Sequence, residues 1–340
     1  MTILGIETSC DETSAAVIKN HQTLSNVISS QTVHNYFGGV VPEIASRIHI
    51  QIISKVVDDA LKQGNVTIEE VDGIAVTYQP GLIGSLVVGT NYAKGISLRF
   101  NKPLIPIDHI EGHIYSGFLE GEDLSFPFIS LIVSGGHTSL FLVRSFVEYE
   151  MIGATRDDAA GEAFDKIGKL LGLGYPAGPK IDKLSKMGNP NRFDFPRGLI
   201  NSDDLDFSFS GLKTSVRYFL QKNYPNDIPE QDLYDLCASI QEAIVEVLVS
   251  KSLKAISKYR LNNIVIAGGV SANSRLRELS TETFSKFGVK VIIPKMQYCM
   301  DNAAMIALLG EFKLEESFGK TNFFNYKFKA NPTPKRSANK

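Results

Sequence analysis

Two stretches of the chain share one pattern. ILGIETSC (3–10) is an apolar run ending in Thr-Ser, and DETSAAVI follows it. FISLIVSGGHTSLFLV (128–143) is an apolar run broken at Ser134-Gly135-Gly136-His137-Thr138 and then resumed. Each reads as strand, tight polar turn, strand. Set about 125 residues apart in a chain of 340, they predict a duplicated architecture. That length also exceeds one ordinary core, so two domains are expected.

The intervening segments supply helices. GGVVPEIASRIHIQIISKVVDDALKQG places Ile44, Ile48, Ile52 and Val56 at helical spacing. VDGIAVTYQPGLIGSLVVGTNYAKGISLRF reads as a strand (73–77), a Pro-Gly turn and a helix (84–99), and KPLIPIDH as a further strand. DDAAGEAFDKIGKLLGL is a helix ending at Gly172 or Gly174, and DLYDLCASIQEAIVEVLVSKSLKAISKY is a long amphipathic one. NNIVIAGGVSANSRLRELSTETFSKFG reads as strand, glycine turn and helix; VKVIIP is a strand and DNAAMIALLGEFKL a final helix. Hairpins, strand–helix alternation and a returning helix predict an α/β protein of two similar lobes with a cleft between them.

Composition narrows the function classes. No segment reaches the roughly 18 uninterrupted apolar residues of a membrane span. The opening MTILGIETSCDE lacks the basic start and apolar stretch of a signal peptide. Three scattered cysteines, Cys10, Cys237 and Cys299, suit reduced thiols in a cytoplasmic setting. Net charge is −2, so the chain as a whole is no electrostatic nucleic-acid binder. Residues 317–340 nonetheless carry six Lys or Arg and no acid, leaving 29 basic against 37 acidic residues, a net −8, elsewhere. That tail mixes cations with aromatics and reads as a solvated, flexible terminus, with a nucleic-acid or partner contact as the alternative.

DHIEGHIYSG (108–117) holds two of the six histidines. On a helix, His109 and His113 share a face and could reach one ion. The zinc-protease pattern H-E-x-x-H needs Glu directly after the first His; here it stands two places after, so HIEGH is not that motif. Gly112 also weakens a mid-helix reading. Spacing alone leaves a pair of structural histidines open. Asp301, at the start of the last helix in CMDNAAMIA, is the candidate third ligand, though it could simply cap that helix. Two imidazoles and one carboxylate with open positions suit Fe(II) or Zn(II).

Glycines mark the ends of several strands. IVIAGGVSAN ends a strand in Gly268-Gly269, IVSGGHTS breaks between strands, and QPGLIGS opens a helix. Such turns let a ligand approach the backbone and together point to a nucleotide site. There is no Walker A motif: FGKT (318–321) has the ending, but the required earlier glycine falls on Leu314.

GIETSCDETSAAV, GGVVPEIASRIH, PGLIGSLVVG, HIEGH, VSGGHTSL, DDAAGEAFDK, DFSFSGLKTS, AGGVSANSRLR and DNAAMIA together resemble the TsaD (Gcp, YgjD) family of tRNA N6-adenosine threonylcarbamoyltransferases, from residue 3 to about 310. The resemblance implies a two-lobed actin-like, sugar-kinase-like and Hsp70-like ATPase (ASKHA) fold with a central cleft. On that basis lobe I would span 1–106 with a returning helix at about 305–325, lobe II 107–304, and the flexible tail 326–340. The implied activity is acyl transfer from threonylcarbamoyl-AMP to N6 of adenosine 37, in tRNAs reading codons that begin with A. The family's metal ligands fall on His109, His113 and Asp301, with one divalent ion per subunit, Fe(II) or alternatively Zn(II). Its donor-binding residues fall on Ile132, Val133, Ser134, Gly135, Gly136, Asp165, Gly178, Asp182 and Asn273. Asp11 falls on a carboxylate that assists proton transfer, although a turn Asp bonding its own backbone is an equal alternative. The implied partners are tRNA, a paralogous TsaB-like subunit in a heterodimer, and a TsaE-like P-loop ATPase, without a membrane.

The exocyclic amine of adenine is a weak nucleophile because its lone pair is delocalised. The site must therefore orient and polarise the carbamoyl group, stabilise developing charge and remove a proton. A metal suits the first task, by Lewis-acid contact with the threonylcarbamoyl group, and no protein nucleophile is needed because the mixed anhydride is already activated. The competing readings are a metallopeptidase of glycoprotease type, a sugar kinase or plain ATPase of the same fold, and a non-catalytic ATP-binding scaffold in a tRNA-modifying complex.

Overall fold

In a computed structural model, the opening apolar run folds as β1 (Thr2–Glu7), every residue of it buried. The structure describes residues 1–121, 124–146, 148–317 and 321–333. β1 turns into β2 (Glu12–Lys19), and β2 into β3 (Gln22–Ser30), both pairings antiparallel. The two-residue turn Asn20-His21 has positive φ at both positions, the hairpin turn whose twist matches its strands. Helix α1 (Pro42–Gln63) has proline in its first turn, where no N–H is missed, and buries His49, Ile53, Val56, Val57 and Ala60. It crosses over to β4 (Gly73–Gln79); α2 (Ile83–Phe100) leads to β5 (Leu104–Asp108), and β4 and β5 run parallel to β1. The sheet order is β3-β2-β1-β4-β5. α3 (His109–Tyr115) follows β5 directly.

The plan then repeats. β6 (Phe128–Val133), β7 (Thr138–Val143) and β8 (Tyr149–Ala154) form an antiparallel meander. After α4 (Ala160–Leu170), α5 (Gly178–Ser185), α6 (Ser210–Asn223) and α7 (Glu230–Tyr259) comes β9 (Asn263–Ala267), parallel to β6. α8 (Ser274–Ser285) leads to β10 (Lys290–Ile292), parallel to β9. The order β10-β9-β6-β7-β8 is the first sheet's order over again, with three antiparallel strands flanked by two parallel ones. Both sheets are mixed and carry helices, so the fold is α/β. The second core is aromatic-rich, with Phe164, Phe195, Phe207, Phe209 and Phe284 buried; each contributes about 1.5–3 kcal/mol of burial.

The chain ends in α9 (Met296–Cys299) and α10 (Ala303–Ser317). Ala303 through Leu309 are buried on every side, so α10 lies inside its unit rather than on its surface. A Cβ at Gly5 of β1 would strike the Ala303 carbonyl, which is why glycine interrupts that strand.

Two compact units result: Met1–Leu124 with Pro294–Lys340, and Ser125–Ile293. The expected boundaries at 106/107 and 304/305 are therefore displaced. A cut at 106 would sever β5, and α3 packs on α10, which draws residues 107–124 and 294–304 into the first unit. Among the described residues the returning helix runs to Ser317, and 321–325 are not helical, so it does not continue to 325. Part of the expected flexible tail is anchored instead. Leu104 N donates to Phe323 O (2.9 Å) and Asn331 N to Tyr78 O (2.9 Å). Tyr326 Oη lies 2.9 Å from Ser97 Oγ, and Lys94 Nζ donates to Phe328 O (2.8 Å) while lying over the Phe328 ring. Residues 334–340, and 318–320 of the FGKT stretch, lie outside the described residues.

Candidate functional site

Asp108 ends β5 and caps α3: its Oδ1 accepts from Ile110 N (2.8 Å) and Glu111 N (3.3 Å), and Gln79 Nε2 donates to its Oδ2 (2.9 Å). The helix thus begins at His109 and presents His113 one turn later. Gly112 lets this turn lie close to α10: a Cβ there would lie 2.9 Å from Ile306 Cδ1 and 3.1 Å from Met305 Cγ, so those side chains would have to shift. At the other end of the site, Asn302 takes the capping role that sequence reasoning allowed for Asp301. Its Oδ1 accepts from Met305 N (3.1 Å), while its Nδ2 donates to Met300 O (2.8 Å) and Tyr298 O (3.2 Å). Asp301 is left free to turn inward. Its Oδ1 lies 3.3 Å from His109 Nε2 and 3.2 Å from His113 Nε2. One ligand atom from each of the three residues falls within 4.8 Å of the others. Two imidazole nitrogens and one carboxylate oxygen converging on one point fit a divalent ion with open coordination positions.

Behind His109 stands Glu7, fully buried on β1. Its Oε2 lies 3.0 Å from His109 Nδ1 and accepts from Thr77 Oγ1 (2.5 Å), and its Oε1 accepts from Ser9 N (2.5 Å). Sequence reasoning missed Glu7; the available signal was a carboxylate inside an apolar strand, which must be paired to be buried. An Nδ1–H donated to Glu7 fixes the tautomer of His109 and leaves Nε2 facing Asp301. Burial alone would lower the His109 pKa, but the charges of Asp301 and Glu7 outweigh it and hold the ring well above its usual value. Burial likewise works against ionised Asp301 and Glu7, yet the His109 charge and hydrogen bonds keep both below the usual carboxylate range. His113 goes the other way: burial dominates and lowers it, and its Nδ1 is buried without a hydrogen-bond partner. A proton on Nε2 of His113, directed at Asp301, is therefore the less costly neutral tautomer.

Asp11 lies in the β1–β2 turn and hydrogen-bonds Glu12. Burial first, then the charges of Asp301 and Asp11, push the Glu12 carboxyl up to about 9, so it holds its proton at neutral pH. Glu111 pairs with Lys313, and Cys299 Sγ donates to Pro294 O (3.3 Å).

The other candidate residues all lie in the second unit. Ile132 and Val133 end β6; Ser134 Oγ accepts from Gly136 N (3.3 Å) and His137 N (3.1 Å), shaping the turn. A Cβ at Gly135, Gly136 or Gly269 would meet nothing within 4 Å, so these backbones face open space. Gly268 is the opposite case, with φ +93° and its Cβ position against the Val133 carbonyl. It locks the end of β9 to the end of β6, in a conformation that favours glycine.

The polar candidates are each hydrogen-bonded at a helix start. Asp165 Oδ1 accepts from Ala177 N (2.7 Å) at the start of α5, beside Gly178. Burial pushes the Asp165 carboxyl up, more than its backbone donors pull it down. Asp182 Oδ1 accepts from Ser274 N (3.1 Å) and Ser274 Oγ (2.7 Å). Asn273 caps α8, accepting from Leu276 N (3.0 Å), and its Nδ2 donates to Gln241 Oε1 (2.6 Å). Gln241 Nε2 in turn donates to Ser185 Oγ on α5 (2.7 Å). Gln241 was missed; a buried amide inside the apolar α7 was its signal.

Residues 22–308 match the family profile described as TsaD: tRNA N6-adenosine threonylcarbamoyltransferase. A protein of that name from Thermosipho africanus (strain TCF52B) is 51% identical over 311 residues, covering 91% of this chain and 93% of the relative. One from Prosthecochloris aestuarii is 51% identical over 338 residues, covering 96% and 97%. Among solved structures, T. kodakarensis HypF superposes with TM-score 0.64 at 12% identity, over 93% of this chain and 48% of that one. The activator of the 2-hydroxyisocaproyl-CoA dehydratase from Clostridium difficile gives TM-score 0.53 at 14% identity, over 95% and 98%. At such identities these two speak for the fold alone, which is of the ASKHA type. Among the described residues no helix is long and apolar enough to cross a membrane. With half of its residues shared with those relatives along nearly the full length, the chain belongs to the tRNA N6-adenosine threonylcarbamoyltransferase family.

Proposed function

We propose that this transferase moves the threonylcarbamoyl group of threonylcarbamoyl-AMP to N6 of adenosine 37 in tRNAs reading codons that begin with A. The observation that carries this reading is the convergence of His109, His113 and Asp301 in a chain whose Glu111 pairs with Lys313. That pairing leaves HIEGH without the general base a metallopeptidase would need. A divalent ion held there, Fe(II) or alternatively Zn(II), would act as Lewis acid toward the threonylcarbamoyl group. Glu7 keeps His109 in the tautomer whose Nε2 faces the ligand point. Asp11 is the proposed acceptor of the proton released by the N6 amine. In the second unit, the open backbone at Gly135, Gly136 and Gly269 is the proposed cradle for the AMP portion, with Ile132, Val133 and Ser134 forming its wall. Asp165, Gly178, Asp182 and Asn273 complete the proposed donor-binding set.

The partners follow the same reading: a TsaB-like paralogue in a heterodimer, a TsaE-like P-loop ATPase and the tRNA itself, all in the cytoplasm. Ile50 on α1 is 65% exposed and Ile83 on α2 50% exposed, apolar side chains that contact with the paralogue would cover. The test is mass spectrometry of tRNA nucleosides from cells depleted of the chain, with transfer reconstituted from purified components. Undiminished N6-threonylcarbamoyladenosine after depletion would overturn the proposal. Casein cleavage by the metal-loaded protein would favour the peptidase instead.

A further inference from the structure

α6 differs from its neighbours in charge. Its sequence SGLKTSVRYFLQKN contains Lys213, Arg217 and Lys222 and no acid, whereas among the described residues every other α-helix of the second unit carries at least one Asp or Glu. Leu212, Val216 and Leu220 form its buried stripe. Its outer face presents two adjacent rows at helical spacing, Lys213–Arg217–Gln221 and Thr214–Tyr218–Lys222. Arg217 and Lys222 are exposed, and Tyr218, between Thr214 and Lys222 in the second row, is 66% exposed.

Several cations elsewhere in the unit are neutralised. Arg156 pairs with Asp204 and Asp206, Lys166 with Asp158 and Glu162, Arg197 with Asp194 and Glu246, and Arg275 with Glu242 and Glu278. Among the described residues none of the three α6 cations has a carboxylate partner. Asp157, at the helix start, already accepts from Ser208 Oγ, Ser210 Oγ and Phe209 N. Three unpaired cations around an exposed ring, on a chain with net charge −2, match a polyanion that also offers bases for stacking. α6 packs on α4, the helix that carries Asp165 and whose Gly161 N donates to Ser134 O (3.1 Å). The face therefore stands one helix away from the glycine turn.

We propose that the outer face of α6 is a tRNA-docking surface: Lys213, Arg217 and Lys222 contact backbone phosphates, and Tyr218 stacks on an unpaired base. The inference rests on the transferase reading and adds to it where the RNA lies on this unit. A solvated face would leave tRNA affinity indifferent to these residues.

The experiment uses the chain in the assembly it forms with its partners, and an unmodified tRNA carrying A37. In Lys213→Glu/Arg217→Glu/Lys222→Glu, the slope of log affinity against log salt should fall by about 2–3, and affinity should weaken roughly tenfold or more at moderate salt. Tyr218→Ala should weaken binding roughly five- to a hundredfold. The charge-keeping Lys213→Arg/Arg217→Lys/Lys222→Arg should bind tRNA as the unaltered chain does, and all variants should keep metal content and thermal midpoint. Lys258→Glu/Lys286→Glu, at the C-terminal ends of α7 and α8, should move the slope less. Unchanged affinity and slope in the α6 variants would overturn this inference alone. So would loss of a co-purifying protein with RNA affinity intact, which would assign the face to that protein. An unaltered assembly that neither binds nor modifies the tRNA would sink the transferase reading, and this inference with it.

Discussion

The two candidate regions are built from opposite materials. In the first unit, charged and polar side chains face one another: the buried Glu7, His109 and His113 and the half-buried Asp301 form a connected set held by Thr77, Ser9 and the cap at Asp108. In the second, the open positions are backbone, at Gly135, Gly136 and Gly269, and the polar side chains beneath are already bonded to helix ends. The first arrangement suits a small cation, whose binding replaces a proton on His109. The second suits a neutral or anionic ligand that approaches peptide groups closely. The lesson concerns mutational sensitivity. Charged sites fail when a ligand atom is lost, whereas glycine turns fail when an atom is added.

The sharpest break of this comparison is at the ligands. His109→Ala and His113→Ala should each lose the ion and reduce transfer by at least about a thousandfold, since Lewis-acid stabilisation amounts to several kcal/mol. Circular dichroism should show the fold retained. Full metal content by elemental analysis in either variant would remove that residue from the site.

Glu7→Gln comes next. It keeps an acceptor toward His109 Nδ1 but loses the charge, so metal affinity should fall about ten- to a hundredfold. Competition against a chelator measures this, and unchanged affinity would reduce Glu7 to a packing role.

For the second region, Gly135→Val should leave the thermal midpoint nearly unchanged, because nothing lies within 4 Å of the new Cβ. It should nonetheless weaken a non-hydrolysable threonylcarbamoyl-AMP analogue about tenfold or more in calorimetric titration. Asn273→Ala and Asp165→Ala should weaken the analogue by about 1.5–3 kcal/mol and leave the metal in place. Asn273→Ala should also lower stability by about 1 kcal/mol through its lost helix cap. Full donor affinity in all three would move the nucleotide away from these glycines.

The smallest expected effect is one of pH. The Glu12 carboxyl is raised from 4.5 to about 9, so between those values the folded chain holds a proton that the unfolded chain has released. Stability contributed at this position therefore falls as pH rises through that window. In metal-free protein, Glu12→Gln should gain about 1 kcal/mol or more at pH 8 relative to the native chain, and nothing at pH 4. Parallel denaturation curves at both pH values would show the Glu12 environment to be more solvated than its burial implies.

Local pattern carried much of this protein into view. The apolar runs around ETSCDET and SGGHT set two hairpins, because strand alternation and small polar turns act over a few residues. The i, i+4 spacing of His109 and His113 placed both on one helix face for the same reason. The tertiary structure decided what depends on distant chain meeting. Gly112 reads as a helix weakener in isolation, yet in the fold it lies close against Ile306 and Met305 of α10. Asp301 and Asn302 are equally good caps by residue type, and only packing showed that Asn302 caps while Asp301 turns toward the histidines. Glu7 became a partner of His109 only when β1 and α3, about a hundred residues apart, came together. The unit boundaries moved because α10 returns through the first unit's interior and holds α3 there. α6 was assigned no element from pattern, and its charge matters only as a face, which exists once Leu212, Val216 and Leu220 are buried. Propensity and periodicity are short-range and so are written in the chain. Burial, pKa shifts and the pairing of charges are set by neighbours that the chain order does not name.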